Sequence, residues 1–374
     1  MLAAEIETIR IFLQEPIMQC RIVSSHRNLF VAFATALIVT AATGFTGRSA
    51  LAEAPNTVAA LAAAPALELV VAPSEEGAGV DTRTTPALGT SFAQALEPYV
   101  PQGLAVAQPE HGETRLDQPE VDSLAPDAIV GSEDRIEAPV SLYPYSAIGR
   151  IDASLGSKSW SCTGVLVARG IMLTNRHCVY DTEQRRLATS VMFTPGYRRG
   201  EAPFGQAYGK KVYLSGIIRM TGQPLDYALV TLSQNLGDQA GWLGVKPFQT
   251  TWVPSPAQWT LAGYGFNWYG NRGNTTVQTY NAVPCRLLDL SEGNNIVGHD
   301  CDSGGGNSGS PIFGWFGDGT GRNRPYAVAV NYAEWRLVDK FSSCGAYQSG
   351  SCGNLAVQSQ AFLGRLLSLS KGQR

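Results

Sequence analysis

The residues best suited to chemistry lie between His299 and Phe313, in the run His-Asp-Cys-Asp-Ser-Gly-Gly-Gly-Asn-Ser-Gly-Ser-Pro-Ile-Phe. Ser308 stands between glycines there, in Gly306-Asn307-Ser308-Gly309-Ser310-Pro311. Glycine accepts the positive φ of a sharp turn, which other residues resist. Such a turn exposes a hydroxyl and aims nearby N–H groups at one point, as a nucleophilic serine needs when an oxyanion forms beside it. A plain Gly/Ser/Asn surface loop has the same composition, so the motif needs partners. Serine attacks well only when a base takes its proton and a carboxylate orients that base. Beyond residue 128 the sequence holds two histidines, His177 and His299. His299 lies in the nucleophile's own segment, too near in sequence to approach from another element. His177 follows the apolar run Ile171-Met172-Leu173-Thr174 and precedes Cys178. Asp226 stands at the mouth of a second apolar run, Tyr227 to Leu232. Its rivals Asp181 and Asp238 lie among polar residues with no apolar strand behind them.

The elements that must hold these groups are short. Ala147 to Asp152, Trp160 to Ala168, Ile171 to Thr174, Ser190 to Phe193, Lys211 to Leu214 and Asp226 to Leu232 read as strands. So do Trp259 to Tyr264, Thr276 to Leu288, Pro311 to Trp315 and Tyr326 to Tyr332. Many short strands with Gly, Pro and Asn breaks indicate an all-β body. Val357, Ala361, Phe362, Leu366 and Leu369 fall at helical spacing, so a helix is expected over about 357–369.

Three segments now carry a resemblance. Leu173-Thr174-Asn175-Arg176-His177-Cys178, Asp226-Tyr227-Ala228-Leu229 and Gly306-Asn307-Ser308-Gly309-Ser310-Pro311, in the order His, Asp, Ser, resemble the chymotrypsin- and trypsin-like serine endopeptidases. The Gly-Asn-Ser-Gly-Ser-Pro form is most similar to their bacterial, glutamyl-endopeptidase-like branch. The likeness covers about 129 to the C-terminus. It implies two antiparallel six-stranded β-barrels, about 138–234 and 240–357, with a cleft between them. It implies an acyl-enzyme on Ser308, with His177 as general base, Asp226 as orienter and the N–H groups of Gly306 and Ser308 as oxyanion hole. Cys301-Asp302-Ser303-Gly304-Gly305-Gly306 is an internal decoy, with Ser303 in the nucleophile's place. Ser308 is preferred because Pro311-Ile312-Phe313 supplies the following strand and Gly306 falls two residues before it.

The family also places substrate-binding groups. Asp302 falls where trypsin-like members carry a pocket-floor aspartate, with Ser303 beside it, and a buried carboxylate there would favour Arg or Lys in the substrate. Asn331 stands at about the position where glutamyl endopeptidases carry a histidine, which argues against cleavage after glutamate. Ile129-Val130-Gly131 resembles a mature N-terminus, and members are often made as zymogens. In trypsin-like members the new amine pairs with an aspartate just before the nucleophile; here that residue is Asn307, so that pair is excluded.

Ahead of this body, Arg21, His26 and Arg27 precede an apolar run from Leu29 to Thr43 and a small-x-small site at Ala50-Leu51-Ala52. This reads as a signal peptide within residues 1–52, cut after Ala52, with Met18 as the expected start. Residues 53–128, rich in Ala, Pro, Glu and Thr, read as a propeptide or linker, mostly extended or disordered. Of 7 cysteines, Cys20 belongs to the leader. Six remain in an exported chain and allow 15 pairings. The resemblance implies Cys162–Cys178, whose loop matches the family's histidine loop; Cys285–Cys301 and Cys344–Cys352 are the further expected pairs.

The net charge of −3 gives no basic footprint for nucleic acid. His299, Cys301 and Asp302 cluster, but no second cluster supplies further ligands at a zinc spacing, so neither metal nor cofactor is expected. Trp242, Trp252, Trp259 and the run Tyr264 to Tyr269 are read as packing of the second barrel, against a carbohydrate platform. The sequence therefore describes a secreted or periplasmic monomer acting on protein or peptide substrates, free of the membrane once its signal is cut. The competing description is a catalytically inactive relative serving as a binding module.

Overall fold

The computed structural model describes residues 66–70, 95–107, 129–130, 133–215, 225–266, 276–291, 295–336 and 352–373. The expected signal peptide, most of the segment 53–128, Trp268, Tyr269 and Cys344 lie outside them.

Alternation builds the first barrel. Strand β1 (Ile148–Leu155) buries Ile148, Ile151, Ala153 and Leu155 and leaves Arg150, Asp152 and Ser154 partly exposed. A period of two turns one face to the core. β2 (Lys158–Ala168), β3 (Ile171–Thr174), β4 (Ser190–Pro195), β5 (Ala207–Leu214) and β6 (Ala228–Leu232) follow. They pair antiparallel in the order β5-β6-β3-β2-β1-β4, and β4 pairs back onto β5. β4 meets β5 only at Ala207 and Tyr208, and Glu68–Leu69 pairs parallel with Lys211 and Val212 farther along β5, so little of the sheet edge that invites association is left open. β3, between β2 and β6, is buried along its whole length.

The second half is a curled sheet. β7 (Thr260–Gly263), β8 (Leu287–Ser291), β9 (Ile296–His299), β10 (Pro311–Gly317), β11 (Asn323–Arg336) and β12 (Cys352–Gln358) run in the order β8-β9-β12-β11-β10-β7. Its ends meet at one isolated antiparallel bridge, Trp259 with Cys285. It therefore curls into a half-barrel, where a second ladder-closed barrel was expected. Strands Thr279–Asn281 and Arg135–Glu137 extend it beyond β7. One closed six-strand barrel and one curled six-strand half-barrel are the chymotrypsin-like arrangement that the resemblance implies.

Two boundaries differ from those expected. The strand proposed over Thr276 to Leu288 is two strands, because Pro284 between them has no N–H for a ladder. Val357 lies in β12, and the helix begins only at Gln360, running Gln360–Ser370. That helix buries Phe362, Leu363 and Leu366. They join the main core, to which strands of both halves contribute, and the Phe362 ring lies 5.6 Å from that of Tyr227. The Phe248, Trp252, Trp259 and Phe316 rings pack at centroid distances of 5.3–6.2 Å, so these aromatics are core.

Candidate active site

β3 ends at Thr174 and the chain turns at once. The N–H of Cys178 donates to Asn175 O at 3.3 Å and that of Val179 to Arg176 O at 3.1 Å. This turn carries His177. A disulfide from Cys178 to Cys162 ties it to β2, with Cα atoms 5.9 Å apart, and the Trp160 indole donates to Cys178 O. Asp226 enters from the start of β6. Its Oδ1 accepts the backbone N–H of His177 at 3.0 Å, and its Oδ2 lies 2.5 Å from His177 Nδ1. An ionised carboxylate only accepts, so Nδ1 carries the hydrogen and Nε2 is left with its lone pair. Asp226 is held in turn: Asn175 Nδ2 donates to its carbonyl at 2.6 Å, and Ser215 bonds the carbonyl of Leu225.

The segment that carries the candidate nucleophile Ser308 comes from the other half. Gly306 and Gly309 adopt φ of 90° and 87°, the left-handed region expected of them. Ser308 is partly exposed between them, and β10 starts directly at Pro311. Thr163 on β2 grips this loop across the two halves. Its N–H donates to Ser308 O at 2.8 Å, its hydroxyl donates to Gly306 O at 2.9 Å, and that hydroxyl accepts the N–H of Tyr264 at 2.8 Å. From behind, Asn331 O accepts the N–H of Gly309, and Asn331 Nδ2 donates to Asn307 O at 3.0 Å and to Ser303 Oγ at 3.1 Å. The N–H groups of Gly306 and Ser308 have no acceptor among the described residues. His177, Gly306 and Ser308 line one cleft of about 350 Å³ together with Trp160, Cys162, Tyr180, Asp181 and Glu183.

Neither Thr163 nor Asn175 was singled out in the sequence. The only signal for Thr163 was its place next to Cys162 on the strand facing the histidine turn. Thr163→Val keeps the shape but leaves a buried N–H and a buried carbonyl unpaired. We expect a loss of about 2–4 kcal/mol in stability, one buried polar group costing about 1–3 kcal/mol. Urea denaturation checks it; a loss under about 0.5 kcal/mol, within the range of ordinary surface substitutions, would show that the grip is idle.

The decoy and the rivals have other employment. Ser303 is buried, accepts from Asn331 and does not reach the cleft. Asp181 takes the N–H of Gln184 and the ammonium of Lys158, and Asp238 makes a fork with Arg169. His299 is fully buried with Nε2 3.1 Å from Asn331 Oδ1, and burial pushes its pKa down to about 4, so it is neutral. Cys162, His177 and Cys178 offer donor atoms within 4.8 Å of one another, but both sulfurs are spent in a disulfide. Cys285–Cys301 is also formed, joining the segments ahead of β8 and ahead of the nucleophile. The expected partner pair Cys344–Cys352 falls outside the described side chains.

Asp302 departs from its expected place. It does not present its carboxylate as a pocket floor; it faces Val130 and Asp134, where Oδ1 accepts the N–H of Val130 at 2.8 Å and Oδ2 that of Asp134 at 3.0 Å. Burial and then the neighbouring Asp134 raise its pKa well above the carboxylate range, against the pull of those two N–H groups. Burial raises Asp134 as well. A carboxyl with a raised folded pKa stabilises the fold fully below its unfolded pKa of about 4, and that contribution is lost as pH rises through the folded value. Stability should therefore fall as pH climbs from about 4 through the raised pKa of the pair. Asp134→Asn replaces the repulsion by a donor toward Asp302 and should flatten that fall, raising Tm at neutral pH. Thermal melts across pH 4–8 of both proteins test this; parallel curves would refute it.

A family model described as Trypsin matches residues 139–336, more than half of the chain. The chain belongs to the trypsin family. Among curated relatives, this trypsin-family protein is 27% identical over 205 residues to a glutamyl endopeptidase of Bacillus licheniformis, covering 54% of this chain and 60% of that protein. The chain thus spans about 60% of the length of that relative. It is 25% identical over 245 residues to a protein of Bacillus subtilis named extracellular metalloprotease, covering 64% of this chain and 72% of that one. Among solved structures, a Glu endopeptidase in complex with MPD aligns with a TM-score of 0.47 at 22% identity, over 65% of this chain and 99% of that one. A scabies mite inactivated protease paralogue aligns with a TM-score of 0.42 at 16% identity, over 61% and 95%. The two disulfides suit an oxidising compartment. Among the described residues no helix is long and apolar enough to cross a membrane.

Proposed function

We propose that this trypsin-family protein is a secreted serine endopeptidase. The observation that carries the proposal is that His177, whose Nδ1 pairs with Asp226, lines the same cleft as Ser308 and Gly306. In this reaction Ser308 Oγ attacks the carbonyl carbon of a peptide bond while His177 Nε2 takes its proton. The charge that develops on the carbonyl oxygen meets the N–H groups of Gly306 and Ser308. The imidazolium, stabilised by Asp226, returns the proton to the leaving amine as the C–N bond breaks, leaving an acyl ester on Ser308. Water repeats the sequence and releases the acid.

The substrate preference departs from the one expected at the sequence level. With both oxygens of Asp302 occupied by backbone N–H groups, that residue gives no reason for Arg or Lys. Asn331, standing where glutamyl endopeptidases carry a histidine, offers no cation for a glutamate side chain, so neither Arg or Lys nor Glu is favoured. Cleavage-site profiling of a mixed peptide library should give few cuts after Arg, Lys or Glu, and dominance of any of these overturns the preference.

A serine-directed organofluorophosphonate tests the activity itself. It should label the purified secreted protein at Ser308, located by peptide mapping. Failure to label, with peptide substrates left intact, would support the inactive binding module instead.

A further inference from the structure

The segment ahead of Ile129 reads as a propeptide or linker, yet its residues 95–107 are built into the body. Leu96 and Val245 exchange two backbone hydrogen bonds of 2.9 and 2.8 Å, and Tyr99 and Trp242 exchange two of 3.0 and 3.1 Å. The Tyr99 ring stacks on the Trp242 indole at 4.4 Å, and that indole donates to Glu97 O. The Glu97 carboxylate accepts from the Tyr326 hydroxyl at 2.6 Å. The strap then bends at Gln102-Gly103, where Gly103 has φ of 85°, and runs onto Tyr143. Ala107 donates to Tyr143 O at 2.7 Å, and Tyr143 donates to Ala105 O at 2.9 Å. Leu96 and Leu104 pack on the main core, and Ala107 is part of it.

The strap backbone lies close against the body. A Cβ on Gly241, itself at φ of 75°, would stand 2.7 Å from Tyr99 O, and one on Gly244 would meet the Tyr326 ring at 2.4 Å and Leu96 O at 2.8 Å. An extended peptide held by main-chain bonds with side chains in flanking pockets is a recurring way for one chain to bind another. None of these contacts involves His177, Asp226 or Ser308, so the strap does not block the cleft.

We infer that the body carries a docking surface for an extended apolar peptide, and that its occupant is residues 95–107 of the same chain. This occupant stays bound without a covalent link after any cut between Ala107 and Ile129. The mature protein then has two chains, and processing near Ile129 frees an end without shedding the strap.

A site-specific protease recognition sequence placed between Ala107 and Ile129 of the full chain tests this. After the cut, native gel filtration followed by mass spectrometry in denaturant should find the fragment containing 95–107 at one copy per body, released only by denaturant. A fragment that separates in native buffer overturns the inference, whether the body stays folded or aggregates. In the cut protein, Glu97→Ala with Tyr99→Ala should speed fragment release by about tenfold or more, since anchors of this kind dominate such interfaces. Unchanged release would show that the named contacts do not hold the strap. The readout is mass, so it stands apart from whether the protein cleaves peptides.

Discussion

Ser308→Ala lowers kcat by about a millionfold, the scale on which loss of a serine nucleophile or its histidine base is measured in an unrelated fold. The Ser308 hydroxyl braces nothing among the described residues, whereas its backbone carbonyl is the group Thr163 holds. The variant should therefore melt with the parent protein. His177→Ala should fall as far, and the double variant no further, because residues that act as one unit are grossly non-additive. Ser303→Ala should keep most of the activity. It removes only an acceptor for Asn331 Nδ2, worth about 1 kcal/mol. Steady-state kinetics on a peptide substrate decides: if Ser303→Ala abolished turnover and Ser308→Ala spared it, the nucleophile would be Ser303.

Asp226→Asn lowers kcat by about ten-thousandfold with little change in KM. The reason is an acceptor shortage. Asp226 takes two N–H groups of one residue, the backbone N–H of His177 on Oδ1 and the ring Nδ1–H on Oδ2. An amide has one oxygen and one NH₂. The backbone N–H cannot become an acceptor, so the amide oxygen stays with it and the NH₂ faces Nδ1. The imidazole answers by moving its hydrogen to Nε2, the atom that must accept the serine's proton. A kcat within tenfold of the parent would remove Asp226 from the orienting role.

The strands were legible where alternation or an unbroken apolar run was long enough to show, as in β1, β2 and β3. Ile296–His299 was missed because four residues carry too little pattern, and Cys352–Gln358 because Val357 also fits a helical spacing. Local motifs gave His177, Asp226 and Ser308, since a sharp glycine turn and a strand end leave marks in neighbouring residues. They could not give Thr163, Asn331's grip on Asn307 or the burial of Asp302. Those depend on contacts between residues far apart in sequence, such as the 143 positions between Thr163 and Gly306. Counting back from Ser308 fixed where Asp302 lies along the chain but not which way its carboxylate turns.

The placement of the C-terminal helix bears on when the protein becomes competent. Tyr227, directly after Asp226, packs on Phe362, and β12 is hydrogen-bonded between β9 and β11. Asn331, which holds the serine loop, pairs with Ala356 of β12. Ribosomes deliver the N-terminal portion first, and domains fold as units. A chain still threading through a ribosome or an export channel has its histidine, its aspartate and its serine, but lacks the strand and helix that brace them. On the proposed peptidase reading, hydrolysis would therefore await synthesis through Ser370, the end of that helix.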